Sequence, residues 1–266
     1  MPNATFVLKT RSADQPIELV LFDAVGTVLV PDPPVWRVYG EAAARQGVEL
    51  DLDTIKRRFQ TAFANNEARD RQPGDNGHDG DGTTHEARER ERWRGIVTET
   101  LGPLPDPNRA FEELWEEFAR PDRWRCPDDA CDALARLDQF GLPWGVASNF
   151  DGRLRSILRG HSAFDSLGLS KESLNQPGPP RLTISSEVGA RKPDRRFYER
   201  IREAAKPPPE RILFVGDDPI NDGEAARALG FRTVQIDRRA HSDDLDNPIA
   251  PRVRDLRRLV DRLAPT

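Results

Sequence analysis

Five short apolar runs constrain the fold of this chain more than any other feature. They are "IELVLFD" (17–23), "PWGVASN" (143–149), "LTISSEV" (182–188), "RILFVGDD" (211–218) and "FRTVQID" (231–237). Each is close to continuous in apolar character rather than alternating, which is the pattern of a strand covered on both faces. Segments of helical period lie between the later runs. In "PDDACDALARLDQFG", Ala130, Leu134 and Leu137 share one face, with Asp128 placed to cap the start and Gly141 to end it. Leu154, Ile157 and Leu158 repeat that spacing, as do Phe197, Ile201 and Ala205. "NDGEAARALGF" reads as a short helix closed by Gly230. Strands alternating with helices predict an α/β fold, a doubly wound parallel sheet. Right-handed crossovers then put a ligand site at the carboxyl ends of the strands.

The stretch between the first two runs breaks this rhythm. From Pro31 to Arg125 no buried strand is legible, but four helix-like pieces are: "VWRVYGEAAARQG", "LDTIKRRFQTAFANNEARD", "HEARERERWRGIVTETLG" and "NRAFEELWEEFAR". The division expected is a first core segment at 1–30, a helical cap at 31–125 and a second core segment at 126–266. Such a cap would sit over the strand ends and limit water access. It contains "GDNGHDGDGTTHE", where Asp75, Asp79, Gly80 and Glu86 stand at calcium-loop positions. Gly77 and Gly82 occupy places that need an oxygen ligand and an apolar anchor, so a polar loop is the reading preferred.

Composition excludes several classes. A formal charge of -5 opposes general nucleic-acid binding. No window approaches the roughly 20 apolar residues of a membrane span. The N-terminal residues lack a signal-peptide core. Cys126 and Cys131 have no nearby metal-ligand partners and read as reduced structural thiols. A cytoplasmic protein is expected, acting on a small and anionic molecule, with oligomeric state open.

The strand ends carry the chemistry. The first run ends in Asp23, followed by Gly26 and Thr27; the second in Ser148 and Asn149. The third leads to Lys192, and the fourth ends in "GDDPIND", with Asp217, Asp218 and Asp222. In a parallel sheet these groups converge on one rim. A carboxylate there can act as a nucleophile. Carboxylates brought together repel, and a hard cation such as Mg²⁺ relieves the repulsion while clamping phosphate oxygens. A hydroxyl and turn N–H groups can hold an anionic oxygen, and a lysine adds positive charge.

These segments resemble the four motifs of the haloacid dehalogenase-like hydrolase superfamily: "FDAVGTV", "VASNFD", "SSEVGARKPD" and "FVGDDPINDGEAARALG". The resemblance covers nearly the whole chain and implies a Rossmann-like core with a helical cap inserted after the first motif. It implies that Asp23 is the nucleophile and a metal ligand, and that the Val25 carbonyl is a second ligand. Ser148 and the Asn149 backbone would bind the transferred group, with Thr27 beside them, while Lys192 would bridge that group and Asp23. Asp217 would bind Mg²⁺, with Asp218 or Asp222 in support.

Val25 departs from the pattern. Phosphatases of the superfamily carry an aspartate there, which protonates the leaving oxygen and then activates water. Losing a general acid–base group costs about 10²–10⁴ in rate. Three readings follow: a Mg²⁺-dependent hydrolase of a phosphorylated metabolite with altered acid–base chemistry; a metal-free 2-haloacid dehalogenase, since halide needs no proton; and a non-catalytic phospho-ligand-binding or regulatory protein. The acid-rich fourth motif favours the first. Superfamily dehalogenases have a tyrosine at the Val25 place and a Ser/Asn-rich fourth motif. A phosphonatase-like Schiff base would need a cap lysine, and Lys56, the only one in the cap, lies among arginines on a polar helix face. Trp36, Arg37, Arg57, Arg58 and Arg69 are the cap residues considered for contact with an anion.

Overall fold

The computed structural model describes residues 6–9, 15–71, 82–168 and 181–265. In chain order these form strands β1 (Phe6–Leu8), β2 (Gln15–Ile17), β3 (Leu19–Phe22) and β4 (Val30–Pro31). Helices α1 (Val35–Ala44), α2 (Leu52–Arg71), α3 (Glu86–Leu101) and α4 (Pro107–Glu117) follow, then β5 (Trp124–Arg125). The remainder alternates: α5 (Asp128–Phe140), β6 (Trp144–Ser148), α6 (Arg153–Arg159), β7 (Leu182–Ile184), α7 (Ser185–Val188), α8 (Arg195–Ala204), β8 (Ile212–Gly216), α9 (Ala225–Ala228), β9 (Arg232–Ile236), β10 (Arg252–Val253), α10 (Leu256–Asp261) and β11 (Leu263–Pro265).

The central sheet has the order β10-β9-β8-β3-β6-β7, and every pair in it is parallel. This is the Rossmann-like arrangement. Its inner strands β3, β6 and β8 are buried along their whole length because side chains on both faces have a helical layer to meet. Val20 and Phe22 point into one layer with Leu134, Leu137 and Ile157. Leu19 and Leu21 point into the other with Phe197, Tyr198 and Ile201. β8 divides in the same way, Leu213 and Val215 to the first layer and Ile212 and Phe214 to the second.

The structure corrects four local expectations. The run 182–188 is a strand only as far as Ile184, then turns into α7. β7 is an edge strand whose one neighbour, β6, ends at Ser148 opposite Ile184, so no ladder remains to extend it. The Ser185 hydroxyl instead bonds the Phe150 backbone. Asp128 does not cap α5; it is the first helical residue after Pro127, while Gly141 does close the helix in a left-handed conformation. "NDGEAARALGF" is a π-turn, Pro219–Glu224, before it becomes α9. The first run also breaks: Gln15–Ile17 leaves the central sheet and joins a small antiparallel sheet with β1 and β11.

Helices α1 to α4 surround their own apolar cluster, with Val38, Tyr39, Ile55, Val97, Phe111 and Leu114 at its centre. The chain enters this insertion through β4 and leaves through β5, and the two strands pair antiparallel. Positions 75, 77, 79 and 80 of the calcium-like stretch lie outside the described residues. Glu86 is described, and its carboxylate accepts bonds from the Gly152 N–H and the Ser186 hydroxyl. No helix among the described residues is long and apolar enough to cross a membrane.

Trp144 is fully buried between Phe22 and Phe164, with its indole N–H on Asp138. Trp144→Ala is expected to cost about 3–5 kcal/mol of stability, because the cavity cannot close within a sheet. Urea unfolding of the two proteins checks this; a cost under about 1 kcal/mol would contradict the packing described.

Candidate active site

The first apolar strand delivers Asp23 one residue beyond β3, where its N–H bonds to the Val215 carbonyl at 2.8 Å. The chain then turns tightly. The N–H groups of Val28 and Leu29 both donate to Ala24 O, and Gly26 N–H donates to Leu29 O. Gly26 has φ +88°, and a Cβ there would lie 2.4 Å from an Asp217 carboxylate oxygen. A Cβ on Gly216 would lie 2.0 Å from an Asp222 oxygen. Both glycines are thus required by the close approach of acids to backbone.

Lys192 holds the centre. Its ammonium donates to Asp23 Oδ1 at 2.8 Å, to Asp222 Oδ1 at 2.5 Å and to the Ala147 carbonyl at 3.1 Å, and the residue is buried. Asp217 completes an acid group in which one oxygen each from Asp23, Asp217 and Asp222 lie within 4.8 Å of one another. Asp23 and Asp222 are buried, whereas Asp217 is open to solvent. One cation therefore faces three acids.

The titration of these groups follows from that imbalance. Burial alone would lower the Lys192 pKa, but the charges of Asp222 and Asp23 outweigh it and raise it above the usual lysine range. Desolvation pushes the Asp222 carboxyl up to about 7, even against the lowering by Lys192. Asp217 is also pushed up, by the crowding of protein around it and then by the charge of Asp23.

The other expected residues fall into place less uniformly. Ser148 ends β6 and is buried. The Asn149 side chain clamps Lys192: Nδ2 donates to the Lys192 carbonyl at 2.8 Å, and Oδ1 accepts from its N–H at 2.7 Å. Thr27 is buried with its hydroxyl unpartnered. Val25 is half-buried against the core. Asp218 does not join the acid group. Its carboxylate accepts from the N–H groups of Ile220 and Asn221 and from the Asn221 amide, capping the π-turn. Short acids at helix starts satisfy free N–H groups in this way. Lys56 lies over the Trp36 ring, 4.8 Å from its centre. Arg57 bonds Thr54, and Arg69 pairs with Glu99 on the surface.

Arg238 is a residue that no sequence pattern marks. It donates to the carbonyls of Gly26 at 2.7 Å and Thr27 at 2.8 Å, and its Nε bonds Asp129. Asp129 also accepts the Leu256 N–H, so the turn after Asp23 is tied to the starts of α5 and α10.

The family model of haloacid dehalogenase-like hydrolases matches residues 17–230, and the chain belongs to that family. Haloacid dehalogenase-like hydrolase domain-containing protein 3 of Homo sapiens is 27% identical over 225 residues, covering 83% of this chain and 82% of that protein. The phosphoserine phosphatase of Thermus thermophilus is 40% identical over 171 residues, covering 63% of this chain and 62% of that enzyme. The solved L-2-haloacid dehalogenase RSc1362 shares the fold, with a TM-score of 0.65 and 22% identity over 92% of this chain and 97% of that one.

Folded Asp222 keeps its proton to about 7, an unfolded aspartate only to about 4. Between those values the folded state binds more protons, so raising the pH favours unfolding. With a chelator present, Asp222→Asn is therefore expected to gain stability relative to the native protein between about pH 5 and pH 8. Urea midpoints at the two pH values check this, and a constant difference would contradict it.

Proposed function

We propose that this protein is a hydrolase of a small phosphorylated metabolite that works through an aspartyl intermediate at Asp23, with Mg²⁺ as cofactor. The observation that carries the reading is the deficit of positive charge: Asp23, Asp217 and Asp222 converge, and Lys192 offsets one of them. Three hard carboxylate donors fit a hard divalent cation, and Asp217 leaves it a way in from solvent. Asp23, Asp217 and Asp222, with the Val25 carbonyl, would hold the ion. When bound it would neutralise charge on the transferring phosphoryl group. Asp218 has a cap to serve, so Asp222 is the supporting ligand.

The chain's own residues do the rest. The Asp23 carboxylate attacks phosphorus, the bond to the leaving oxygen breaks, and the electron pair departs with that oxygen. Water then attacks the aspartyl phosphate, releasing phosphate and restoring Asp23. Lys192 offsets charge as Asp23 reacts, while Ser148, the Asn149 backbone and Thr27 bind the phosphoryl oxygens. The helices of residues 31–125 form the cap that shields these steps. Val25 cannot supply a proton, so leaving groups stable as anions are favoured. The anionic substrate comes from the cytoplasm.

The second reading, a 2-haloacid dehalogenase, is favoured by one observation, the absence of an acid at Val25. It leaves the acid group without a use. In the third reading phosphate esters are bound and not turned over.

The purified protein is expected to hydrolyse an aryl phosphate with Mg²⁺ and not with a chelator, and Asp23→Asn to abolish this. Activity that survives Asp23→Asn, or halide release from 2-haloacids under chelation, would overturn the proposal. Val25→Asp is expected to raise alkyl phosphate hydrolysis by about 10²–10⁴, measured as kcat; no gain would mean that the rest of the site is not built for this reaction.

A further inference from the structure

The residue before Lys192 enters a second buried charge group, whose acids lie outside the four motifs. The Arg191 guanidinium donates to Glu89 Oε1 and, at 3.1 Å, to Glu67 Oε1, and its Nε lies 3.5 Å from Asp70. Arg92 pairs with the same Glu67 and Asp70, at 2.6 and 2.8 Å. Glu89 is 1% exposed and Arg191 5%. The Thr84 hydroxyl donates to Glu89 Oε1 at 2.6 Å. All three acids and Arg92 come from α2 and α3 of the insertion, whereas Arg191 belongs to the loop that carries Lys192.

Backbone bonds join the same two segments. Arg191 N–H donates to Gly82 O at 2.8 Å, Thr84 N–H to Gly189 O at 3.2 Å, and Thr83 forms an antiparallel bridge with Ala190. The 191–192 peptide is thus held from two directions. Asn149 grips Lys192 from the sheet, and Glu89 grips Arg191 from the insertion.

Buried ion pairs contribute little net stability against apolar residues of the same shape, but loss of one partner leaves an uncompensated charge. Their use here is geometric. The Lys192 ammonium must meet Asp23 and Asp222 together, and errors of about 1 Å in such placement cost on the order of a hundredfold in rate. We infer that Glu89 is a positioning residue for Lys192 and acts through the guanidinium of Arg191. This rests on the reading of Asp23 and Lys192 as working groups of the proposed hydrolase.

The test compares the native protein, Glu89→Gln, and the double variant Glu89→Gln with Arg191→Met. Glutamine keeps the shape and the acceptor for Thr84 and removes the charge. The first readout needs no substrate: the rate at which an amine-specific reagent labels Lys192, followed by mass spectrometry. Exposed Lys206 serves as reagent control, and hydrogen exchange in β8 as control for global opening. In Glu89→Gln, Lys192 labelling is expected to rise by about tenfold or more through local opening, with both controls unchanged. In the second readout, aryl phosphate turnover with Mg²⁺, kcat should fall by about ten- to a hundredfold at nearly constant KM.

The double variant separates positioning from support. It removes the guanidinium through which Glu89 acts and leaves Glu67 and Asp70 to Arg92 alone, so no recovery of melting temperature is expected. Lys192 labelling should stay fast and kcat low, because the grip on the loop is gone. Lys192 labelled at the native rate in Glu89→Gln would overturn the inference. So would return of stability, protection and kcat together in the double variant. Should Glu89→Gln fail to fold, the double variant carries the test alone. A native protein without turnover would sink the hydrolase reading, and the labelling comparison would still decide whether Glu89 holds Lys192 in place.

Discussion

A single buried ammonium among converging carboxylates sets the terms for the rest of this molecule. Lys192 cannot be in that position unless β3 and β8 end side by side and the loop after β7 returns across β6. Nor can Asp217 and Asp222 approach unless Gly26 and Gly216 present bare backbone to them. The parallel sheet, its alternating two-sided packing and the tight turn after Asp23 are the means by which like charges are held close enough to need a cation. Folding energy from the apolar layers is what sustains this local repulsion, a distribution of strain common at working sites.

Much of this was legible in the sequence, for a physical reason. A strand covered on both faces must be apolar along its length, so its end is marked wherever the first acid appears. Asp23 and Asp217 are marked in that way, Ser148 by the first hydroxyl after the apolar residues of the second run, and Lys192 by its place after the third. What the sequence does not mark are contacts whose partners are far apart in the chain. The Asn149 amide closing on the Lys192 backbone, Arg238 reaching back to Gly26 and Thr27, and Glu89 meeting Arg191 leave no spacing or period to read. Asp218 and Asp222 look alike in "GDDPIND"; only the geometry of the π-turn assigns one to a cap and the other to the acid group. The length of β7 is not legible in its own residues, because a strand's end depends on its neighbour as well.

The two charge groups on either side of the 191–192 peptide are opposite in design. Around Lys192 the acids outnumber the cation at a site that Asp217 opens to solvent, an arrangement suited to a visiting ion or substrate. Around Arg191, two guanidiniums and three acids are bound to one another between helices and loop, an arrangement suited to staying put. In the proposed hydrolase adjacent residues would divide the work of reacting and of holding, one bound from the sheet and the other from the insertion.

The pairing of Val30–Pro31 with Trp124–Arg125 has a consequence for how such a chain can change over time. Because the insertion begins and ends at adjoining points, the sheet experiences it as one short crossing, whatever its length. Doubling the length of a closed loop adds only about 0.6 kcal/mol of closure entropy. The helices between those strands could therefore be lengthened, shortened or exchanged with small cost to the strands that align the acids. A change of substrate would be open to this chain through one interchangeable segment, provided the newcomer still offered an acid to Arg191.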